Sequence, residues 1–382
     1  MRVLLVAGAR PNFMKVAPIV SALQRRGAAH ALVHTGQHYD PQMSDAFFAD
    51  LELGTPDFHL GVGSGSHADQ TARVMQAFEP VLAHVRPDWL VVVGDVNSTL
   101  ACALVAAKLK ETFGCRIAHV EAGLRSHDWR MPEEVNRVLT DRLSDLLLMP
   151  SPDALQNLAA EGLPASRAAM VGNVMIDALF AQLPRARAAD VPGRLGLARA
   201  GYAIATVHRP SNVDDVEALS AILLAFGDLA ADGPVVLPMH PRTRKNIAQF
   251  GLDDLLTPLT VTEPLGYRDM LSLTDGARAV FTDSGGLQEE SSALGVPCVT
   301  LREQTERPVT ITEGTNRLAP WPLEPASLVA CCRAAMAEPR HRPGTRVPDG
   351  WDGQAAERIV DTLYRHSSDA VPSLVKDEFR LA

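Results

Sequence analysis

Short apolar runs, each closed by a polar or glycine-bearing turn and then a helical pattern, recur along most of the chain. Val3–Ala7, Trp89–Val93, Ile117–Val120 and Ala279–Phe281 are continuous runs with little alternation of polar and apolar positions. Such runs mark strands covered on both faces, as in parallel sheets. Further runs at Ala31–Val33, Asp145–Pro150, Ala203–Val207, Val235–Met239 and Val296–Leu301 have the same character. Helical patterns stand between them, for instance from Ala68 to Val85. This alternation through both halves predicts an α/β fold of two Rossmann-like, doubly wound parallel-sheet domains facing a cleft. Two segments look irregular. Gly61–Ser66 reads as a mobile lid or linker, and Gln182–Ala200, rich in Arg, Ala and Pro, as a surface connection after the domain boundary.

A chain of 382 residues exceeds one core, which fits two domains. Its net charge of −9 excludes a general nucleic-acid binder, although a local positive pocket is compatible with it. The five cysteines show no C-x-x-C spacing, so neither a zinc site nor a disulfide framework is indicated. The opening apolar run is too short for a signal peptide's core and no run reaches membrane-spanning length. A cytoplasmic soluble protein is expected.

The candidate chemistry gathers where strands end. After Ala279–Phe281 the chain turns on Thr282-Asp283-Ser284-Gly285-Gly286 and enters a helical stretch stopped by Gly295. Ser284 is placed as the N-cap. Gly285 and Gly286 lack Cβ, so an anion such as phosphate can approach their amides at the positive end of a helix. Glu290, further along, can accept hydrogen bonds from a diol. Arg10 and Lys15 follow the first strand; positive charge at a helix start opposes the dipole and so favours an anionic partner over a merely solvated turn. Asp95 follows Trp89–Val93, where a capping role alone is the ordinary reading. Glu121 directly follows a buried strand, so its carboxylate must be paired or functional. Glu133 and Arg137 stand i,i+4 and could form only a helix salt bridge. His208 and His240 both end strands expected to face one cleft. Carboxylates in this number suit acid–base work.

Seven segments carry a family resemblance: GARPNFMK at 8–15, GD at 94–95, HVEAGLRS at 119–126, PEEVNR at 132–137, HRPSN at 208–212, SGGLQEE at 284–290 and TERP at 305–308. In this order, over nearly the whole chain, they resemble the non-hydrolysing UDP-N-acetylglucosamine 2-epimerases. The resemblance implies a glycosyltransferase-B-like fold, often dimeric. It implies a first domain at 1–172, a second, UDP-binding domain at 173–358, and a final helix at about 359–382, its crossing beginning near Asp352, that rejoins the first. It implies Asp95, Glu121 and Glu133 as catalytic carboxylates, with His208, Lys15 and Arg137 beside them. Arg10, Ser284, Gly285 and Gly286 would hold the diphosphate and Glu290 the ribose. His240, Arg307 and the Pro264–Met270 segment, with Met270 near the uracil, would complete the UDP site. The implied reaction inverts C2 of the sugar without metal or cofactor, through loss and return of UDP. The partner is then a UDP-sugar, with no nucleic acid or membrane, and a homodimer is expected.

The chain departs from the family pattern at Ala9 and Asn12, at Pro210-Ser211-Asn212, and at Gln37-His38-Tyr39-Asp40, where substrate-activated members carry Gln-His-Arg. Weak or absent allosteric activation is therefore expected. A 2,3-diacetamido sugar nucleotide, a hydrolysing epimerase, a UDP-sugar-dependent glycosyltransferase and a non-catalytic UDP-sugar binder stay open as alternatives.

Overall fold

The computed structural model describes residues 1–37, 53–341 and 344–368, together with the backbone but not the side chain of Arg10 and of Ser368. His38, Tyr39 and Asp40 lie outside the described residues. Seven strands form the first sheet: β1 (Arg2–Ala7), β2 (Ala29–His34), β3 (Phe58–His59), β4 (Trp89–Val93), β5 (Arg116–Val120), β6 (Leu146–Met149) and β7 (Ala168–Met170). Six form the second: β8 (Ala203–Thr206), β9 (Val235–Pro238), β10 (Thr260–Thr262), β11 (Ala279–Thr282), β12 (Cys298–Thr300) and β13 (Asn316–Leu318). Their orders are β3-β2-β1-β4-β5-β6-β7 and β10-β9-β8-β11-β12-β13, with parallel pairing throughout. The unalternating runs follow from burial on both faces. Val3, Leu5 and Ala7 enter one apolar cluster and Leu4 and Val6 the opposite one; Phe281 and Val280 divide in the same way in the second sheet.

Each order reverses direction once, at β1/β4 and at β8/β11. Helices that start there diverge to opposite faces and leave a crevice at the strands' carboxyl ends. Gly8 and Gly94-Asp95 follow the first switch pair; Val207-His208 and Asp283-Ser284 follow the second.

The stretch expected as a surface connection is largely helical. A helix runs Val174–Ala189, opened by Asn173, whose Oδ1 accepts the Met175 amide at 2.9 Å. Val174, Met175 and Ala178 join the first core; Ile176, Leu179, Leu183 and Ala186 join the second. From Gln182 onward the buried apolar positions are few, Leu183, Ala186 and Val191 on the second core, and they stand among arginines and Pro184. A last helix, Ala355–Ser368, packs Ala355, Ile359, Val360 and Leu363 into the first core. It begins four residues before 359, and residues 369–382 lie outside those described. Asp177 accepts its first amides, from Ala355 at 3.0 Å and Ala356 at 2.7 Å. No helix among the described residues is long and apolar enough to cross a membrane.

The two chain crossings between the sheets touch through glycines. Arg358 donates to the Val171 carbonyl at 2.6 Å and the Gly350 carbonyl at 2.8 Å, tying both together. Gly172 has φ +88°, and a Cβ there would lie 2.0 Å from the Gly350 oxygen. Gly196 also has positive φ, +69°, but its Cβ would meet nothing within 4 Å. Gly196→Ala therefore carries only the left-handed backbone penalty, about 1 kcal/mol. Gly172→Ala adds a backbone clash and is expected to cost about 3 kcal/mol or more. Urea unfolding of both variants checks this; equal losses would mean that the crossing yields freely.

Candidate active site

The helix Gly285–Leu294 begins directly after the β11 turn. Ser284 occupies the N-cap position, yet its side chain makes no capping bond; its own amide is held by the Thr282 hydroxyl at 2.9 Å. The first amides of this helix therefore stay available to a ligand. The two glycines serve different ends. A Cβ on Gly286 would enter open space, whereas one on Gly285 would lie 2.7 Å from a guanidinium nitrogen of Arg307. Gly285 lets that cation lie against the helix start.

Arg307 is the centre of a charge cluster. Its Nε donates to Glu289 at 2.6 Å and its Nη1 to Glu306. Glu306 also pairs with Arg302, at 2.7 Å. Burial opposes ionisation of Glu306, but Arg307, Arg302, Arg137 and Arg209 overcome it and hold the carboxyl well below its ordinary value. Burial likewise works against the Arg307 charge, and Glu289, Glu306 and Glu121 outweigh it.

The first sheet contributes the opposite wall. Arg137, on the helix Pro132–Leu143, donates to Asp95 at 3.0 Å. It also pairs with Glu134, which accepts the Ser126 and His127 amides and so closes the polar loop after β5. Burial acts to raise the Asp95 carboxyl, but Arg137, Lys15 and Arg307 prevail and keep it ionised below the usual range. Lys15 pairs with Glu121. Glu121 is 5 % exposed, has φ +70°, and leaves its Oε1 without a hydrogen-bond partner. A left-handed conformation at a non-glycine residue stores strain of the kind that collects at functional sites.

Of the residues singled out in the sequence, Lys15, Asp95, Glu121, Arg137 and Arg307 converge. His208 adjoins the β11 turn, its Nδ1 2.9 Å from Asp283 and its ring 5.3 Å from that of His240. His240 is exposed and caps its own helix, Nδ1 accepting the Arg242 amide at 3.2 Å. Met270 is half-buried on the helix Tyr267–Gly276. The Arg10 side chain lies outside the described residues. Glu133 does not join the cluster: it is exposed, without an ion pair or hydrogen bond to another described residue, and the carboxylate that turns inward toward Arg137 is Glu134.

Four buried partners were not singled out. Asp283 accepts the His208 and Arg209 amides, both at 2.9 Å, besides the His208 ring. Glu289 and Glu306 flank Arg307. His119 donates from Nε2 to the Gly94 carbonyl at 2.8 Å and meets Asp141 at Nδ1, fixing the peptide before Asp95. A signal was available for three of them, since His119, Glu289 and Glu306 all lie inside the quoted motifs.

Glu290, 5 % exposed, is pushed up to about 8 by burial and by Glu289, with Tyr267 pulling the other way. Two α/β sheets that bring together an open helix start, a basic centre and buried carboxylates fit the class of two-domain enzymes that act on an anionic ligand. The sequence profile of the UDP-N-acetylglucosamine 2-epimerase family matches residues 21–364, and the chain belongs to that family. It is 38 % identical to the UDP-N-acetylglucosamine 2-epimerase of Methanococcus maripaludis, over 94 % of this chain and 97 % of that one. It is 40 % identical to the UDP-2,3-diacetamido-2,3-dideoxy-D-glucuronate 2-epimerase of Pseudomonas aeruginosa, over 96 % of this chain and 100 % of that one. A crystal structure of the Methanocaldococcus jannaschii UDP-GlcNAc 2-epimerase, in complex with UDP-GlcNAc and UDP, superposes with a TM-score of 0.86 at 38 % identity, covering 96 % and 100 % of the two chains.

The raised Glu290 gives a pH expectation. Folded Glu290 keeps its proton up to about 8, while the unfolded chain releases it near the ordinary value of 4.5. Stability is then lost as pH rises through that window, by at most about 1.4 kcal/mol per pH unit from this group. Glu290→Gln cannot ionise, so its denaturation midpoint should depend less on pH between 5 and 8. Parallel wild-type and variant curves would show that Glu290 ionises alike in both states.

Proposed function

We propose that this chain interconverts UDP-N-acetylglucosamine and UDP-N-acetylmannosamine. The observation that carries the proposal is the meeting of Asp95, Glu121 and Lys15 from one sheet with Arg307 and the uncapped β11 helix start from the other. A carboxylate takes the C2 proton; the C1–oxygen bond breaks and UDP departs with the electron pair, leaving a 2-acetamidoglucal. UDP then re-adds at C1 while C2 is protonated on the opposite face. Departing UDP needs preorganised positive charge, which Arg307, Lys15 and the helix amides can supply. The proton transfers need groups with controlled ionisation, and Asp95 and Glu121 suit them.

In this reading Ser284, Gly285, Gly286 and Arg10 hold the diphosphate, Glu290 the ribose, and His240, Arg307 and Met270 the rest of UDP. His208, its Nδ1 held by Asp283, directs Nε2 to the substrate. Glu133, exposed beside the cleft, acts once substrate is bound. The two sheets support a division at 172/173 with the last helix returning to the first domain. A cytoplasmic homodimer supplying surface-polysaccharide precursors completes the proposal. The Pseudomonas relative makes a 2,3-diacetamido uronate the second candidate sugar.

An NMR time course with UDP-N-acetylglucosamine in D2O tests the reading. UDP-N-acetylmannosamine deuterated at C2 is the expected product. Free sugar with UDP would indicate hydrolysis, and no reaction would redirect the test to the diacetamido substrate. Asp95→Asn should lower turnover about a hundredfold or more with UDP affinity largely kept; near-normal turnover would remove Asp95 from the chemistry.

A further inference from the structure

Beneath the loops that carry Asp95 and Glu121 runs a chain of buried polar groups. His119, on β5, is fully buried and meets a partner at each ring nitrogen: Nδ1 lies 2.6 Å from Asp141 and Nε2 lies 2.8 Å from the Gly94 carbonyl. A carbonyl oxygen only accepts, so Nε2 donates to it. Asp141, equally buried, also accepts the Gly123 amide at 3.0 Å and Arg125 at 2.7 Å. Arg125 continues to Glu161 at 2.7 Å. Burial opposes the Asp141 charge, and His119 and Arg125 hold the carboxyl below its ordinary value all the same. The chain thus supports two loops at once. Asp141 holds the turn after Glu121 through Gly123, and His119 holds the peptide before Asp95 through Gly94.

Gly94 is where this support has the most to do. Its φ is +64°, and a Cβ there would lie 2.8 Å from the Lys15 amine and 3.6 Å from Glu121 Oε2. The backbone at Gly94 therefore runs against the Lys15–Glu121 pair, where a side chain would collide. Glycine is also the residue least able to hold its own peptide in one orientation. Its amide donates to the Val120 carbonyl at 3.1 Å, and its carbonyl accepts from His119. On the other side of that peptide, Asp95 gives its own carbonyl to Asn136 at 2.8 Å and its Oδ2 to Arg137 at 3.0 Å. We propose that His119 is a positioning residue for the reaction: through its Nε2 bond to the Gly94 carbonyl it sets the plane of the Gly94–Asp95 peptide, and so the placement of the Asp95 carboxylate beside Arg137. The role of Asp95 rests on the epimerase reading, whereas the tie to Gly94 rests on the geometry alone. Without the bond a buried carbonyl is left unpaired, which is costly, and Gly94 is free to turn it elsewhere. Asp95 moves with it.

Two substitutions separate the ring nitrogens. Asparagine brings its amide nitrogen near the place of Nδ1, and glutamine near that of Nε2. His119→Asn therefore keeps the reach to Asp141, and His119→Gln keeps the donor for Gly94. Gly-Asp occurs twice in the chain, at 94–95 and 227–228. Full-length, ligand-free protein carrying carbonyl-13C glycine and 15N aspartate then gives two correlation signals, the second a control from the helix Val216–Leu229. The Gly94–Asp95 signal should move in His119→Asn and stay near its wild-type position in His119→Gln, with the control fixed in both. Under the epimerase reading, His119→Asn should lower kcat about tenfold or more with KM largely kept, and His119→Gln should recover most of that loss. A histidine that only fills the core and pairs Asp141 would suffer alike from both changes, or more from glutamine. Equal shifts of the signal, or equal losses of kcat, overturn the proposal. If His119→Asn does not fold, His119→Gln decides: an unmoved Gly94–Asp95 signal supports the tie and a displaced one overturns it. A wild type without epimerase activity whose signal moves only in His119→Asn counts against the epimerase reading and leaves the tie standing.

Discussion

The site depends first on one buried cation with no room to spare. Arg307 lies against the start of the helix after β11, with Glu289 and Glu306 on its nitrogens and its charge felt by Asp95 and Glu121 across the cleft. A buried guanidinium is costly to desolvate and persists only where carboxylates fix it. Here those carboxylates come from the helix after β11 and the loop after β12, so neighbouring strand ends become one electrostatic unit. That unit explains Gly285: any side chain there would displace the guanidinium. It also explains why the acids of the first sheet can stand together. Asp95 and Glu121 are each neutralised locally, by Arg137 and Lys15, and jointly by Arg307.

Topology makes the unit possible. Each sheet reverses its order once, and the loops after β1, β4, β8 and β11 all emerge at those reversals. Parallel strands send their carboxyl ends the same way, so residues far apart in sequence share one crevice. Asp283 then joins two of the loops. Placed one residue before Ser284, it accepts the His208 and Arg209 amides and the His208 ring. The turn after β11 and the histidine are therefore tied together.

Much of this was legible in the sequence, for definite reasons. Strands buried on both faces leave unbroken apolar runs, and Trp89–Val93 is buried at all five positions. Strand-end motifs pointed to Lys15, Asp95, Glu121, Arg137 and Arg307. Elements that serve two cores were harder to read. In Val174–Ala189 two apolar faces interleave, so no single stripe emerges, and its end from Gln182 onward passes for part of a connection. Glu133 and Glu134 show the same limit at one residue's scale. Neighbours on a helix point about 100° apart, so only one of two adjacent acids can face Arg137. The spacing to Arg137 permitted either, and Glu134 is the one buried against it.

Partnerships between buried acids and bases were beyond sequence reasoning for a further physical reason. Glu289 and Glu306 sit in readable motifs, but their states follow from which cation lies nearer, and that is a tertiary fact. Glu306 touches two arginines and has two more close by, and ionises readily despite burial. Glu289 has one arginine, with Glu121 opposing it, and burial prevails. Two carboxylates within eighteen residues of each other are thus driven in opposite directions by the same cluster. The cleft produces this division by the unequal placement of its arginines.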